Sequence, residues 1–106
     1  MNQVLVSPAV LDYLDQTNYI LYKKGYFGFP EAARKYIDKL LEFIYHDLPN
    51  CSKKNAPDYF KRFGKNMQFV KYQPNKHTTW YIFFNYNNHR YLVRYITNNH
   101  VDGQNI

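Results

Sequence analysis

Two runs of β-prone residues near the end of the chain constrain its fold more than any other feature. Thr78–Tyr86 and Arg90–Thr97 are rich in aromatic and β-branched residues. Between them, Asn87-Asn88 can supply the positive φ angles of a two-residue hairpin turn. The pattern therefore predicts an antiparallel hairpin, whose apolar face must be covered by another part of the chain.

With Asn87-Asn88 as the turn, Ile82 pairs with Val93, Tyr81 with Arg94 and Trp80 with Tyr95. Side chains alternate between the two faces of a strand. One face is then apolar and carries Trp80, Ile82, Phe84, Tyr91, Val93 and Tyr95. The other is a mixed face of rings, an amide and guanidinium groups: Tyr81, Phe83, Asn85, Arg90, Leu92 and Arg94.

Two amphipathic helices are predicted to cover the apolar face. A short strand, Gln3–Val6, leads into Ser7-Pro8, an N-cap residue followed by proline at the first helical position. This first helix runs to about Lys24, and a turn containing Gly25 and Gly28 separates it from a second helix. The second helix opens at Pro30 and ends near Asp47. Helical spacing gives apolar stripes of Val10, Leu11, Leu14, Ile20 and Leu21 in the first, and of Ala33, Tyr36, Ile37, Leu40, Leu41 and Ile44 in the second.

The segment between the helices and the hairpin is polar and basic. Residues 50–66 read as a loop with one helical turn around Asp58–Phe63, followed by a strand at Met67–Tyr72 and a turn at residues 73–77. The order β-α-α-β-β-β predicts a single α+β domain over residues 1–106. Its sheet is small and mainly antiparallel, with an N-terminal helical hairpin packed on one face.

The charge of the chain is strongly asymmetric. Residues 1–50 hold five lysines and arginines against six acidic residues, whereas residues 51–106 hold nine against two. Such an excess favours a polyanion, most often nucleic acid, or an acidic protein partner; a solvated basic surface is the alternative. A single cysteine, no signal-peptide pattern and no long apolar run favour a cytoplasmic protein that is not in a membrane.

His100 is the candidate for proton transfer, because the ordinary pKa of histidine lies near neutrality. If no bulge intervenes, the strand alternation places His100 on the same side as Arg94, although a lone histidine near a C-terminus is more often incidental. On the mixed face, rings could stack with bases while arginines hold phosphates. The histidines lack metal-ligand spacing, so neither a metal nor a cofactor is predicted.

The strand order, the opening "VLVSPAVLDYLD" and the closing "TTWYIFFNYNNHRYLVRYITNNH" together resemble the RelE/ParE superfamily of type II toxin–antitoxin toxins. The resemblance covers nearly the whole chain. Its RelE-like branch implies a metal-independent, ribosome-dependent mRNA endoribonuclease, in which a ribose 2′-OH attacks the adjacent phosphate. It implies proton transfer by His100, phosphate stabilisation by Arg94 and Lys71, and RNA binding by Lys61, Arg62, Lys65, Lys76, Tyr81 and Arg90.

The resemblance also implies partners and alternatives. An acidic antitoxin would neutralise the basic face. The oligomeric state that the resemblance implies is either a toxin–antitoxin hetero-oligomer or a homodimer. The ParE-like branch implies inhibition of DNA gyrase, in which the helical hairpin and its Lys23–Phe29 turn would matter more. A third hypothesis is a non-enzymatic RNA- or protein-binding module of the same fold.

Overall fold

The chain forms an α+β domain, seen here in a computed structural model that describes residues 2–23 and 30–106. Its principal elements are β1 (Gln3–Val6), α1 (Pro8–Lys23), α2 (Pro30–Glu42), β2 (Lys54–Asn55), β3 (Gln68–Asn75), β4 (Thr78–Asn87), β5 (Arg90–Asn98) and α3 (Asn99–Asp102). A π-helical turn (Phe43–Asp47) and a 3-10 turn (Leu48–Asn50) continue α2, a 3-10 helix spans Asp58–Phe63, and another spans Gly103–Asn105. The turn expected at Gly25 and Gly28 lies outside the described residues.

The five strands make one mostly antiparallel sheet in the order β1-β5-β4-β3-β2. β1 is parallel to β5, and the other neighbours are antiparallel. The α+β class and the mainly antiparallel sheet are thus confirmed, as is the helical turn at Asp58–Phe63. The two-residue strand β2 was not expected, and β3 runs three residues further than predicted.

One side of the sheet, the helix face, is covered by α1 and α2. Ser7 caps the start of α1 as expected, its Oγ accepting a hydrogen bond from the Val10 amide at 3.4 Å. The Trp80 indole nitrogen donates to the Tyr36 hydroxyl at 2.9 Å and ties the sheet to α2. The buried side chains of this core are Val10, Leu14, Ile37, Leu40, Ile44, Leu48, Val70, Trp80, Ile82, Phe84, Tyr91, Val93 and Ile96.

The apolar stripe of α1 is narrower than the sequence pattern predicts. Leu11 and Ile20 are 38% and 46% exposed, whereas Val10 and Leu14 are buried.

In the described residues, no helix has the length and hydrophobicity of a membrane span.

The turn of the last hairpin lies one residue later than predicted. Asn88 and His89 have φ angles of 51° and 65°, and Asn87 pairs with Arg90. The predicted turn at Asn87-Asn88 is therefore wrong. Because the change moves each pair by two residues, side chains up to Val93 keep their predicted faces. It also places Tyr86 opposite Tyr91, with ring centroids 4.5 Å apart.

A β-bulge at Arg94 changes the faces beyond that point. Phe84 pairs with Val93 and Phe83 pairs with Tyr95, so Arg94 is the extra residue on β5. Tyr95 consequently lies on the Phe83 side of the sheet, and the expectation that it belongs to the helix face is wrong. The expected pairs of Ile82 with Val93, Tyr81 with Arg94 and Trp80 with Tyr95 are also wrong. Ile82 lies opposite Ile96, Tyr81 opposite Thr97 and Trp80 opposite Asn98.

The opposite side of the sheet, the loop face, carries a second small core. Phe60, Met67, Phe69 and Phe83 are buried there. The 3-10 helix Asp58–Phe63 supplies Phe60 and Phe63, and Phe63 stacks on Tyr95 at 3.9 Å with 5° between the rings. The mixed face expected from the sequence is therefore partly covered by a packed loop.

The observed turn predicts a stabilising substitution. His89→Gly should raise the free energy of unfolding by about 0.5–1 kcal/mol, because glycine adopts positive φ without the steric cost that a Cβ carries. Urea denaturation followed by circular dichroism measures this change. Asn88→Gly is the control, with a smaller effect, because asparagine tolerates positive φ better than most residues. If the turn were Asn87-Asn88, glycine at position 89 would sit in a strand and lower the stability.

Candidate nucleic-acid interface

The loop face contains a basic cleft of about 520 Å³ beside the second core. The cleft lies between the end of the 3-10 helix Asp58–Phe63 and the β4–β5 hairpin. Its lining residues, which define the basic cleft below, are Lys61, Arg62, Phe63, Gly64, Lys65, Asn85 and Arg94. Four of them are cations, and they come from two segments about 30 residues apart in the sequence.

The 3-10 helix orients its cations by burying its rings. At three residues per turn, Phe60 and Phe63 share a side of this helix and pack toward Tyr95. Lys61 and Arg62 lie between these two rings in the sequence and are exposed at the cleft. The hydrophobic contacts of the rings thus fix the place of the charges.

Arg94 is held from the sheet side by Asn85 and approached closely by Gly64. Its Nη1 donates a hydrogen bond to Asn85 Oδ1 at 3.2 Å. Asn85 Nδ2 donates to the Lys65 carbonyl oxygen at 2.8 Å. A Cβ at Gly64 would lie 3.3 Å from Arg94 Nε and 2.9 Å from Met67 Sδ, so this position leaves little room for a larger residue.

The cations of the basic cleft are weakly neutralised by the protein itself. Lys61 Nζ lies 3.2 Å from Asp58 Oδ1, in a pair whose side chains are 69% and 92% exposed and which water therefore screens. Arg62 lies 4.1 Å from the centroid of the Tyr59 ring and donates to the Tyr59 carbonyl oxygen at 3.0 Å. Within residues 2–23 and 30–106, no carboxylate is within ion-pairing distance of Arg62, Lys65 or Arg94. The cleft is chemically suited to phosphates or to several carboxylates.

The structure brings four of the predicted residues together: Lys61, Arg62, Lys65 and Arg94. The other predicted RNA-binding residues lie elsewhere. Lys76 is in the β3–β4 turn. Arg90 is the first residue of β5 and lies opposite Gln3 and Asn87. Tyr81 is half-buried against Phe69, with ring centroids 6.0 Å apart.

Lys71 is exposed on β3, and it lines a different cleft. It lies opposite Tyr81 in the sheet. The cleft that it lines also contains Lys54 and Cys51, and Arg94 is not among its lining residues. Lys71 and Arg94 thus lie on strands that flank β4 on either side, and each lines a different cleft.

His100 lies in α3, away from the basic cleft. Its Nε2 is 3.0 Å from Thr78 Oγ1, at the start of β4. Thr78 precedes Asn85 by seven residues, about 23 Å of strand. Thr78 lies two residues before Trp80 on β4 and therefore on the same side of the sheet, the helix face. The expectation that His100 shares the Arg94 side is therefore wrong, because the bulge reverses the alternation and the chain turns into a helix at Asn99.

A buried carboxylate, Asp102, anchors α3 to β5. It accepts hydrogen bonds from the Thr97 hydroxyl at 2.7 Å and from the Tyr95 hydroxyl at 3.2 Å, and a third from Asn105. Asn98 caps the helix by accepting from the His100 amide at 2.9 Å. The strand pattern of the sequence puts Asn85 on the mixed face but indicates no role for Asn85 or for Asp102. Their partners can be identified only once the bulge and the loop are in place.

Comparison with protein-family models, curated proteins and solved structures gives no match to this chain. Among the described residues, no group of three or more histidine, cysteine or acidic side chains is arranged to hold a metal ion.

The Tyr95–Asp102 contact predicts a loss of stability at high pH. Burial, followed by the charge of Asp102, raises the pKa of Tyr95 from 10.0 to about 12. The folded state therefore holds this proton more tightly than the unfolded chain does. The contribution of the Tyr95 hydroxyl to the free energy of unfolding is complete below pH 10 and is lost as pH rises toward 12. Urea midpoints between pH 9 and pH 12 should fall less steeply for Tyr95→Phe than for the wild type. Some decline remains, because burial also raises the pKa of Tyr13, Tyr72 and Tyr91. Equal slopes for the two proteins would contradict this assignment.

Proposed function

We propose that this protein is a toxin of the RelE/ParE type that acts on ribosome-bound mRNA and holds the RNA backbone in the basic cleft. The observation that carries the proposal is the convergence of Lys61, Arg62, Lys65 and Arg94 on one cleft with little internal neutralisation. The resemblance in strand order and in the two terminal segments supports the RelE/ParE assignment.

This surface suits single-stranded RNA better than a double helix whose groove must be read. In the part of the chain that the structure describes, the loop face presents no long recognition helix, and the cations lie beside the aromatic rings on that face of the sheet. Proteins that bind single strands combine a basic groove with such rings. Arg94 and Arg62 can each offer two parallel N–H groups to a phosphate, which lysine cannot.

The same cleft is a suitable surface for an acidic antitoxin. Carboxylates of a partner chain could pair with the cations that the protein leaves without internal partners. Neutralisation would then be a direct competition with RNA for Arg94 and its neighbours.

Cleavage of the bound RNA is the enzymatic form of the proposal. Arg94 would stabilise the charge of the pentavalent phosphorane, Lys71 would be a second cation, and His100 would transfer a proton; no metal is required. The contact of His100 with Thr78, remote from the basic cleft, favours a second candidate function, a non-enzymatic RNA-binding module.

RNA affinity tests the role of the cleft directly. Arg94→Gln should weaken binding of a labelled single-stranded oligoribonucleotide about tenfold, as expected for the loss of a charge-assisted contact. It should also reduce the slope of log K against log salt by about 0.7, the value for one phosphate contact on a single strand. Arg34→Gln is the matched control, because Arg34 is exposed on α2, far from the loop face, and carries the same charge. Equal effects of the two variants would mean that only net charge matters, and the cleft would not be the RNA site.

A translating extract distinguishes the candidate functions. As a ribosome-dependent nuclease, the protein should cut a message within its translated region, and Lys71→Ala, Arg94→Ala and His100→Ala should each reduce cutting. As a binding module, it should inhibit translation without cutting, and only Arg94→Ala should relieve the inhibition. Primer extension reports cutting, and reporter synthesis reports inhibition. An extract in which synthesis continues with intact mRNA would overturn both.

A further inference from the structure

Asn85 joins the two segments that line the basic cleft, β5 and residues 61–65, through its side-chain amide. Its oxygen accepts from Arg94 Nη1 at 3.2 Å, and its nitrogen donates to the Lys65 carbonyl oxygen at 2.8 Å. The first bond acts on the bulged residue of β5. The second holds the backbone at Lys65, two residues after the 3-10 helix that carries Lys61 and Arg62.

The two bonds fix the orientation of the amide. Guanidinium groups only donate hydrogen bonds and carbonyl oxygens only accept them, so a flipped amide would lose both contacts. Gly64 leaves room for Arg94 on the other side, since a Cβ there would come within 3.3 Å of Arg94 Nε. Arg94 is thereby oriented by Asn85, in space that a glycine at position 64 leaves open, and its other N–H donors face a ligand in the cleft.

We propose that Asn85 is a positioning residue that sets Arg94 and the Lys61–Lys65 loop in the geometry that binds RNA phosphates. This inference rests on the proposed function of the cleft. A long arginine side chain loses rotamer freedom when a phosphate immobilises it, and prior immobilisation by the protein removes that cost from the binding step. Asn85 would therefore raise affinity without touching the RNA.

A double-mutant cycle tests this role with a labelled single-stranded oligouridylate as the probe. Asn85→Ala should weaken binding about fivefold in the wild-type background and should have little further effect in an Arg94→Ala background, because the two residues act together. Asn87→Ala is the matched control: Asn87 is an exposed asparagine two residues further along β4 on the same face, and its loss should leave affinity unchanged. Thermal unfolding of each variant establishes that it is folded at the assay temperature.

A second variant tests whether the Asn85 side chain lies next to the cations that bind RNA. Asn85→Asp keeps an acceptor for Arg94, loses the donor to the Lys65 carbonyl oxygen, and adds a negative charge beside the guanidinium group. It should bind RNA more weakly than Asn85→Ala and show a smaller salt dependence, because one cation of the cleft is neutralised.

The outcomes separate this inference from the proposed function. If Arg94→Ala leaves affinity unchanged, the cleft is not the RNA site and both proposals fail. If Arg94→Ala weakens binding but Asn85→Ala does not, the cleft stands and the positioning role is overturned. Equal effects of Asn85→Ala in both backgrounds would also overturn it, because Asn85 would then act independently of Arg94.

Discussion

The β-bulge at Arg94 is the feature on which both sides of the sheet depend. One extra residue in β5 lets Val93 and Ile96 face the helices while Tyr95 turns to the loop face. Tyr95 then stacks on Phe63 and anchors the 3-10 helix Asp58–Phe63. The bulge therefore sets the position of Arg94 and, through Tyr95, the position of the loop that faces it. Bulges often serve to redirect a side chain in this way.

Much of the fold follows from the sequence pattern, because the hydrophobic periods of helix and strand are strong local signals. They predicted β1, both long helices, the 3-10 turn at Asp58–Phe63 and the last three strands. The bulge left no such signal. In "YLVRYIT" every residue suits a strand, and the choice of Arg94 as the extra residue depends on packing Tyr95 against Phe63 and Phe83, which are distant in sequence. The turn at Asn88-His89 could not be chosen from local composition either, since Asn87-Asn88 also suits a two-residue hairpin turn.

The candidate site was predictable in its charges but not in its assembly. The excess of basic residues after position 50 indicated an anionic ligand, and four of the predicted cations meet in one cleft. Lys71 and His100 were grouped with them from strand alternation and the family resemblance, and the structure places both elsewhere. Alternation is informative only while a strand stays regular, and β5 contains the bulge at Arg94 and ends at Asn98, before His100.

Bringing four cations together opposes folding, because like charges repel and water screens them only in part; among the described residues only Lys61 has a carboxylate partner, the exposed Asp58. The burial of Phe60, Phe83 and their neighbours favours the same loop conformation and offsets this repulsion. A ligand that supplies negative charge would relieve the repulsion while leaving the aromatic contacts intact. The loop would then gain stability from binding, and the basic cleft would already have its bound shape before RNA or an acidic partner arrives.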